Sequence, residues 1–349
     1  MFDPKQLLRP HLRSLKPYSS ARDDYQGSEG VFLDANENPL GSITQQHWNR
    51  YPDPYQKALK QKIGEIKGAD PRNIFLGNGS DEPIDLLYRA FCEPGVDHVI
   101  VCPPTYGMYQ VSADINNVAV KEVLLTTNYQ LDEAGILSAA NENSKLLFIC
   151  SPNNPTGNDL DEGAIKRILE LFKGIVVIDE AYVDFTERES YLKNLAQYPN
   201  LVVLQTFSKA WGLAALRLGM AYASEELVGI LNKIKAPYNL NGLVQQTVLE
   251  ALENAGAMDA MVKEIIENRS QLREDLERLG MVKKVHPSDA NFFLVEMENA
   301  HQMYIDLIDQ KVIVRDRSRV VLCDDRLRIT VGTKQENERL IEALKSIEK

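Results

Sequence analysis

"LLFICSPNNPTG", residues 146–157, opens on five apolar residues and then turns abruptly polar. A run this short, rich in branched side chains and closed by turn formers, reads as a strand buried on both faces, the mark of a parallel sheet. Four other runs end in the same way: "NIFL" (73–76) before "GNGSDE", "HVIV" (98–101) before "CPPTYG", "GIVVID" (174–179) before "EAY" and "LVVL" (201–204) before "QTFSK". Helical spacing lies between them, as in Ile165, Ile168, Leu169 and Phe172, so strands and helices alternate from about residue 55 to about residue 223. That alternation predicts an α/β fold with a mostly parallel central sheet and right-handed crossovers. Ligands of such sheets bind beyond the carboxyl ends of the strands. Every polar motif quoted above falls at that end.

After "KIKAPYNLN" (233–241) the pattern changes. Residues 242–280 read as a long helix, strands follow at "NFFLVEM" (291–297), "VIVR" (312–315) and "LRITVG" (327–332), and a last helix starts near Gln335. These elements predict a smaller α+β domain. Residues 1–35, with Pro4, Pro10 and Pro17, read as an irregular arm that must lie on something to be ordered. The predicted division is an arm over 1–35, a large domain over 36–238, and an interdomain helix with a small C-terminal domain over 239–349.

A chain of 349 residues has room for such a division and for a sizeable buried site. With 39 Lys and Arg against 50 Asp and Glu, its net charge of -11 opposes nucleic acid as a partner. The sequence has no apolar run of bilayer length and no secretory h-region near its start, so a cytoplasmic protein without a membrane partner is expected. Its four cysteines form no CxxC pair and its five histidines never fall at ligand spacing, so no metal site is expected.

The chemistry lies in the strand-end motifs. "GNGSDE" puts Gly77 and Gly79 at a strand end and opens a helix at Ser80, leaving backbone N–H groups for an anion. By itself a tight turn with a cap explains it as well. Asp179 ends an apolar strand, where a carboxylate is costly unless it meets a cation, although a strand-end acid can also cap the next element. Tyr182 follows three residues on, within reach of the same ligand. Asn153 and Asn154 stand in a proline-flanked loop that a plain turn would also use, and Tyr106 offers a ring for stacking or packing.

"TFSKAWGLAALRLG" (206–219) has helical apolar spacing and carries Lys209 near its start. A lysine in a partly desolvated cleft has a lowered pKa and acts as a nucleophile toward an aldehyde. Arg217 can hold a phosphate, with Thr206 and Ser208 as neutral donors. An amine for an aldehyde, an acid for a ring nitrogen, donors for a ring hydroxyl, a stacking ring and an anion cradle together match pyridoxal phosphate.

Together with "LKPYSSAR" (15–22), "LDANENP" (33–39), "RYPDPY" (50–55), "IDEAYVDF" (178–185), "KAPYNL" (235–240) and "LRITVGT" (327–333), these motifs cover nearly the whole length. In that order, the chain resembles the fold-type-I pyridoxal-phosphate aminotransferases, and among them it is most similar to the histidinol-phosphate aminotransferases. The resemblance implies that Lys209 bonds to the cofactor's aldehyde and Asp179 partners its ring nitrogen. Asn154 and Tyr182 would contact the ring hydroxyl, and Tyr106 would stack on the ring. The backbone of Ser80 and Asp81, with Thr206, Ser208 and Arg217, would hold the cofactor phosphate, with Tyr51 reaching in from a second subunit, which implies a homodimer with shared sites. Arg328 would receive the substrate's anionic tail, with Arg315, Tyr18 and Asn36 as further contacts.

The implied reaction is ping-pong transfer of an amino group from L-histidinol phosphate to 2-oxoglutarate, giving imidazole acetol phosphate and L-glutamate. One anion site must then serve a phosphate and a carboxylate in turn, which an arginine fork can do. Without the resemblance, Arg328 reads as a strand arginine paired with an acid such as Asp325. Arg317 and Arg319 crowd the segment between Arg315 and Arg328, so which arginine meets the substrate phosphate stays open. Two neighbouring functions also stay open: an aromatic-amino-acid aminotransferase, since an imidazole pocket admits a flat apolar ring, and a threonine-phosphate decarboxylase using similar cofactor residues.

Overall fold

The computed structural model describes residues 2–19 and 29–347, so the Ser20–Arg22 part of "LKPYSSAR" lies outside the described residues. Its main sheet contains β1 (Ile74–Asn78), β2 (His98–Val101), β3 (Ala119–Glu122), β4 (Ser144–Cys150), β5 (Ile175–Asp179), β6 (Leu201–Thr206) and β7 (Leu218–Tyr222). Their order across the sheet is β1-β7-β6-β5-β4-β2-β3. Strands β3, β2, β4, β5 and β6 run parallel. β7 runs antiparallel to both of its neighbours, β6 and β1.

All residues of β5 and β6 are buried, which is why their sequences read as unbroken apolar runs rather than alternating ones. The strand alternation still sorts them into layers. Ile149, Ile178 and Val203 enter one core, and Phe148, Val177 and Leu204 enter the core on the opposite face. Packing on both faces leaves only the strand ends open to a ligand, so the fold itself decides where the site lies.

A second, antiparallel sheet contains β8 (Val282–Val285), β9 (Phe292–Met297), β10 (Arg315–Asp316) and β11 (Arg326–Thr330), in the order β10-β11-β9-β8. Phe293, Val295, Leu327 and Ile329 join its own core with Leu272, Leu307 and Leu340 from the surrounding helices. Phe292 and Leu294, on the alternate face of β9, join the core of the main sheet instead. β11 lies beside β9 with Arg328 opposite Leu294, so Arg328 shares the face turned toward the main sheet.

The structure corrects several sequence expectations. Residues 206–219 are not a helix: β6 ends at Thr206, a turn follows, and a single 3-10 turn over Ala214–Leu216 leads into β7. Gly212 and Arg217 hold φ of 66° and 52°, left-handed values that no α-helix tolerates. The expected helix over 242–280 is two helices, Gly242–Leu252 and Ala255–Glu277. The arm is less irregular than expected, because Pro4–Leu7 and Pro10–Arg13 each form one helical turn and bury Leu8 and Leu12 in the main core. Strand structure in "VIVR" begins only at Arg315.

Candidate active site

The carboxyl ends of β4, β5 and β6, the start of β7 and the edge of the second sheet enclose a cavity of about 700 Å³. Ser80, Asp81, Tyr106, Asn154, Asp179, Tyr182, Thr206, Ser208, Lys209, Arg217, Arg315 and Arg328 all line it. Five strand-end segments of the main sheet deliver the first ten of these groups, and β10 and β11 deliver Arg315 and Arg328. Tyr18, Asn36 and Tyr51 do not line it in this single chain. They sit on its exposed surface, Tyr51 stacked on Tyr238 with ring centroids 4.5 Å apart.

One end of the cavity is an anion cradle. Arg217 closes the turn before β7, and its carbonyl accepts from the Gly79 N–H at 2.6 Å. Gly79 holds φ of 67°, a left-handed value that favours glycine, and a side chain there would push the Arg217 guanidinium aside from 2.7 Å. The Ser80 side chain makes no cap bond on the helix Asp81–Phe91, which leaves its hydroxyl for another partner. Ser208 Oγ accepts from Arg217 Nη1 at 3.4 Å and from Thr206 Oγ1 at 2.9 Å. Hydroxyls, a guanidinium and a helix N-terminus converge here, a donor set for a phosphate.

The other end holds Asp179, 3% exposed at the end of β5. Burial raises its carboxyl pKa to about 6, while the Tyr109 hydroxyl and the Ala181 N–H oppose that rise. Tyr109 donates to Asp179 Oδ2 at 2.8 Å and Ala181 N–H donates to Oδ1 at 3.0 Å. No cation lies within ion-pair distance of Asp179 among the described residues. A buried carboxylate held by neutral donors fits a protonated ring nitrogen brought by a ligand.

Between the ends, Asn154 Nδ2 donates to the Tyr182 hydroxyl at 3.2 Å, and Asn154 Oδ1 accepts from Arg328 Nη1 at 2.6 Å. Lys209 Nζ lies 5.6 Å from the centre of the Tyr182 ring. Enclosure by the cavity walls lowers the Lys209 pKa, and Arg328 adds to the effect. Its side chain nevertheless stays open to the cavity, as a nucleophile must. Tyr106 donates to Asp81 Oδ1 at 3.1 Å and meets the Tyr109 ring edge-on. Arg328 pairs with no acid, Asp325 included, among the described residues. It lies over the Phe292 ring and points at Asn154.

A profile of the aminotransferases of class I and II matches residues 25–344. The chain belongs to that family. A histidinol-phosphate aminotransferase from Cytophaga hutchinsonii is 54% identical to it over 345 residues, covering 99% of each chain. The crystal structure of the histidinol-phosphate aminotransferase from Clostridium acetobutylicum superimposes with a TM-score of 0.80 at 24% identity, covering 86% of this chain and 91% of that one. That of the enzyme from Sinorhizobium meliloti in complex with pyridoxal-5'-phosphate gives 0.79 at 22% identity, covering 97% of each. This aminotransferase therefore has the fold-type-I architecture that its strand-end motifs imply.

Two groups around the aminotransferase cavity carry no local sequence signal of their role, Tyr109 and Arg188. Tyr109 is the second tyrosine of "PPTYGMY", and nothing local links it to an aspartate 70 residues away. Arg188 braces the floor: it meets Glu180 at 2.9 Å, Asp159 at 3.2 Å and the Ser151 carbonyl at 3.1 Å, and lies over the Tyr191 ring. It thereby ties the Asn154 loop to the segment after Asp179. The signal was a run of acids and an arginine in "DFTERES", which reads as an ordinary solvated face.

Proposed function

We propose that this aminotransferase moves the amino group of L-histidinol phosphate to 2-oxoglutarate, giving imidazole acetol phosphate and L-glutamate in histidine biosynthesis. The carrying observation is the coincidence, in one cavity, of a pyridoxal-phosphate donor set with an arginine-rich far wall. The full-length likeness at 54% identity supports the substrate. The backbone of Ser80 and Asp81, with Thr206, Ser208 and Arg217, would hold the cofactor phosphate, Asp179 its ring nitrogen, Asn154 and Tyr182 its ring hydroxyl, and Tyr106 its ring face. When bound, pyridoxal phosphate supplies an aldehyde for the substrate amine and an electron-withdrawing ring.

The chain's own residues do the rest. Lys209 Nζ, with its pKa lowered by enclosure, takes up the proton that leaves the substrate α-carbon and releases it within the same cavity. Asp179, fixed by Tyr109 and Ala181, holds the charge of a protonated nitrogen away from water. Arg328, oriented by Asn154 and Phe292, receives the anionic tail of each amine substrate in turn, with Arg315 beside it.

Assembly as a homodimer fits the same picture. Val31, Leu33, Leu40 and Ile43 stand fully or almost fully exposed near Tyr51, an apolar stretch that a second copy would cover. Tyr18, Asn36 and Tyr51 would then reach the partner's cavity. Division into an arm over 1–35, a large domain over 36–238 and a C-terminal part over 239–349 follows the two sheets. Among the described residues no helix is long and apolar enough to cross a membrane, which suits a cytoplasmic enzyme.

The test is a half-reaction. Purified holoenzyme is mixed with L-histidinol phosphate, or with phenylalanine, and the cofactor absorbance is followed without an oxo acid. Conversion at low histidinol phosphate supports the proposal. Equal or better conversion by phenylalanine reassigns the chain to aromatic amino acids, and carbon dioxide release from threonine phosphate would make it a decarboxylase.

A further inference from the structure

The second sheet brings an unusual set of charges to the cavity. Arg315 and Arg328 face each other directly across β10 and β11. Beyond β10 the pairing continues for one residue, with the Arg317 N–H donating to the Arg326 carbonyl at 2.9 Å. Arg317 stands two residues from Arg315 and so shares its face, and both line the cavity with Arg328. Like charges directly opposed across a ladder are destabilising unless something neutralises them.

Neutralisation within the chain reaches only the neighbour. Arg326 pairs with Glu296 at 2.8 Å, and Asp316 turns to His301, also at 2.8 Å. Arg315, Arg317 and Arg328 meet no carboxylate within ion-pair distance among the described residues. Arg317 Nε is buried and has no hydrogen-bond partner at all. Burial, Arg328 and Arg315 together pull the Arg317 pKa down to about 10, so its charge is held at a cost. Arg319, by contrast, is exposed and does not line the cavity.

We propose that Arg317 completes a three-arginine receptor for a dianionic phosphate monoester and sets the preference for such substrates over singly charged carboxylates. The inference rests on the reading that the amine substrate carries a phosphate. A monoester brings about -1.5 to -2 charges and three acceptor oxygens. A carboxylate brings one charge and two oxygens, which a single guanidinium fork satisfies. Arg328 alone therefore suffices for glutamate, and the added arginines act on the phosphate.

The test compares holoenzymes carrying Arg317, Arg317→Gln and Arg317→Lys in half-reactions with L-histidinol phosphate and with glutamate, and measures competitive binding of phenyl phosphate and of benzoate. Arg317→Gln should lower kcat/KM for histidinol phosphate by about 10- to 100-fold, the range of a lost charge-assisted bond. That loss should exceed the loss on glutamate at least tenfold, weaken phenyl phosphate but not benzoate in parallel, and be largely restored by Arg317→Lys. Equal losses on both substrates, or no loss on the phosphate, overturn the proposal. Should the unaltered enzyme ignore histidinol phosphate yet bind phenyl phosphate through Arg317, the substrate assignment falls and the receptor stands. Binding of neither removes both.

Discussion

The Tyr109 hydroxyl and the Asp179 carboxylate, 70 residues apart in the chain, meet at 2.8 Å in a place closed to water. Tyr109 is itself fully buried and stacked on Phe148, so its hydroxyl has no freedom to turn elsewhere. Tyr109→Phe should therefore raise the Asp179 pKa by about one unit, the worth of one lost hydrogen bond to a charged group. The acid limb of the kcat profile should move to higher pH by that amount. An unmoved limb would show that Asp179 does not depend on this donor.

Asp179 also makes a prediction about stability without cofactor. Its pKa is about 6 in the folded chain against an ordinary 3.8, so folding favours its protonated form. That contribution is fully present below pH 4 and is lost as pH rises through 6, a change of roughly 3 kcal/mol. Cofactor-free Asp179→Asn should lose this dependence and, at pH 7, resist urea better than the cofactor-free parent, while being inactive. If the variant is the less stable of the two at pH 7, burial is not what sets this pKa.

Lys209→Ala should fold normally, because among the described residues the side chain makes no hydrogen bond or ion pair and only faces the Tyr182 ring at 5.6 Å. Borohydride treatment should add the mass of the cofactor to the parent enzyme and nothing to the variant. Turnover should drop at least about a thousandfold. Cofactor mass on the variant would place the reactive amine elsewhere.

Arg188→Ala leaves Glu180, whose side chain is wholly buried, without its cation. An uncompensated buried charge costs about 3–5 kcal/mol, which urea unfolding would register. Adding Glu180→Gln should recover a good part of it. A single variant as stable as the parent would show that the neutral donors Ser190, Gln205 and the Tyr191 N–H suffice for Glu180.

Leu40→Glu with Ile43→Glu should turn a dimer into a monomer in sedimentation and take most of the activity with it, since Tyr51 would no longer reach a partner. A parent enzyme that sediments as a monomer would end the shared-site reading.

The sequence revealed what depends on local pattern and hid what depends on partners distant along the chain. β4, β5 and β6 were legible because strands buried on both faces cannot hide their apolar character. β3 and β8 were not, since half of β3 is exposed and β8 carries two exposed lysines. β7 was lost inside a stretch whose apolar spacing looks helical, and only the left-handed turns at Gly212 and Arg217 forbid that helix. Strand-end motifs announced the cavity residues one by one. Arg188 and Tyr109 act through residues that sequence does not place beside them.

β7 has one more effect. It lies between β1 and β6, and its insertion brings Arg217 against Gly79 and Asp81, the latter 136 residues away along the chain. Closing so long a loop is slow and entropically expensive, so this pairing belongs among the late events of folding. The cradle does not exist until it is complete. A cofactor that binds there stabilises by mass action only chains whose last strand has seated. Cofactor supply thereby becomes a check on finished folding, and chains short of it would stay open to proteolysis in larger share.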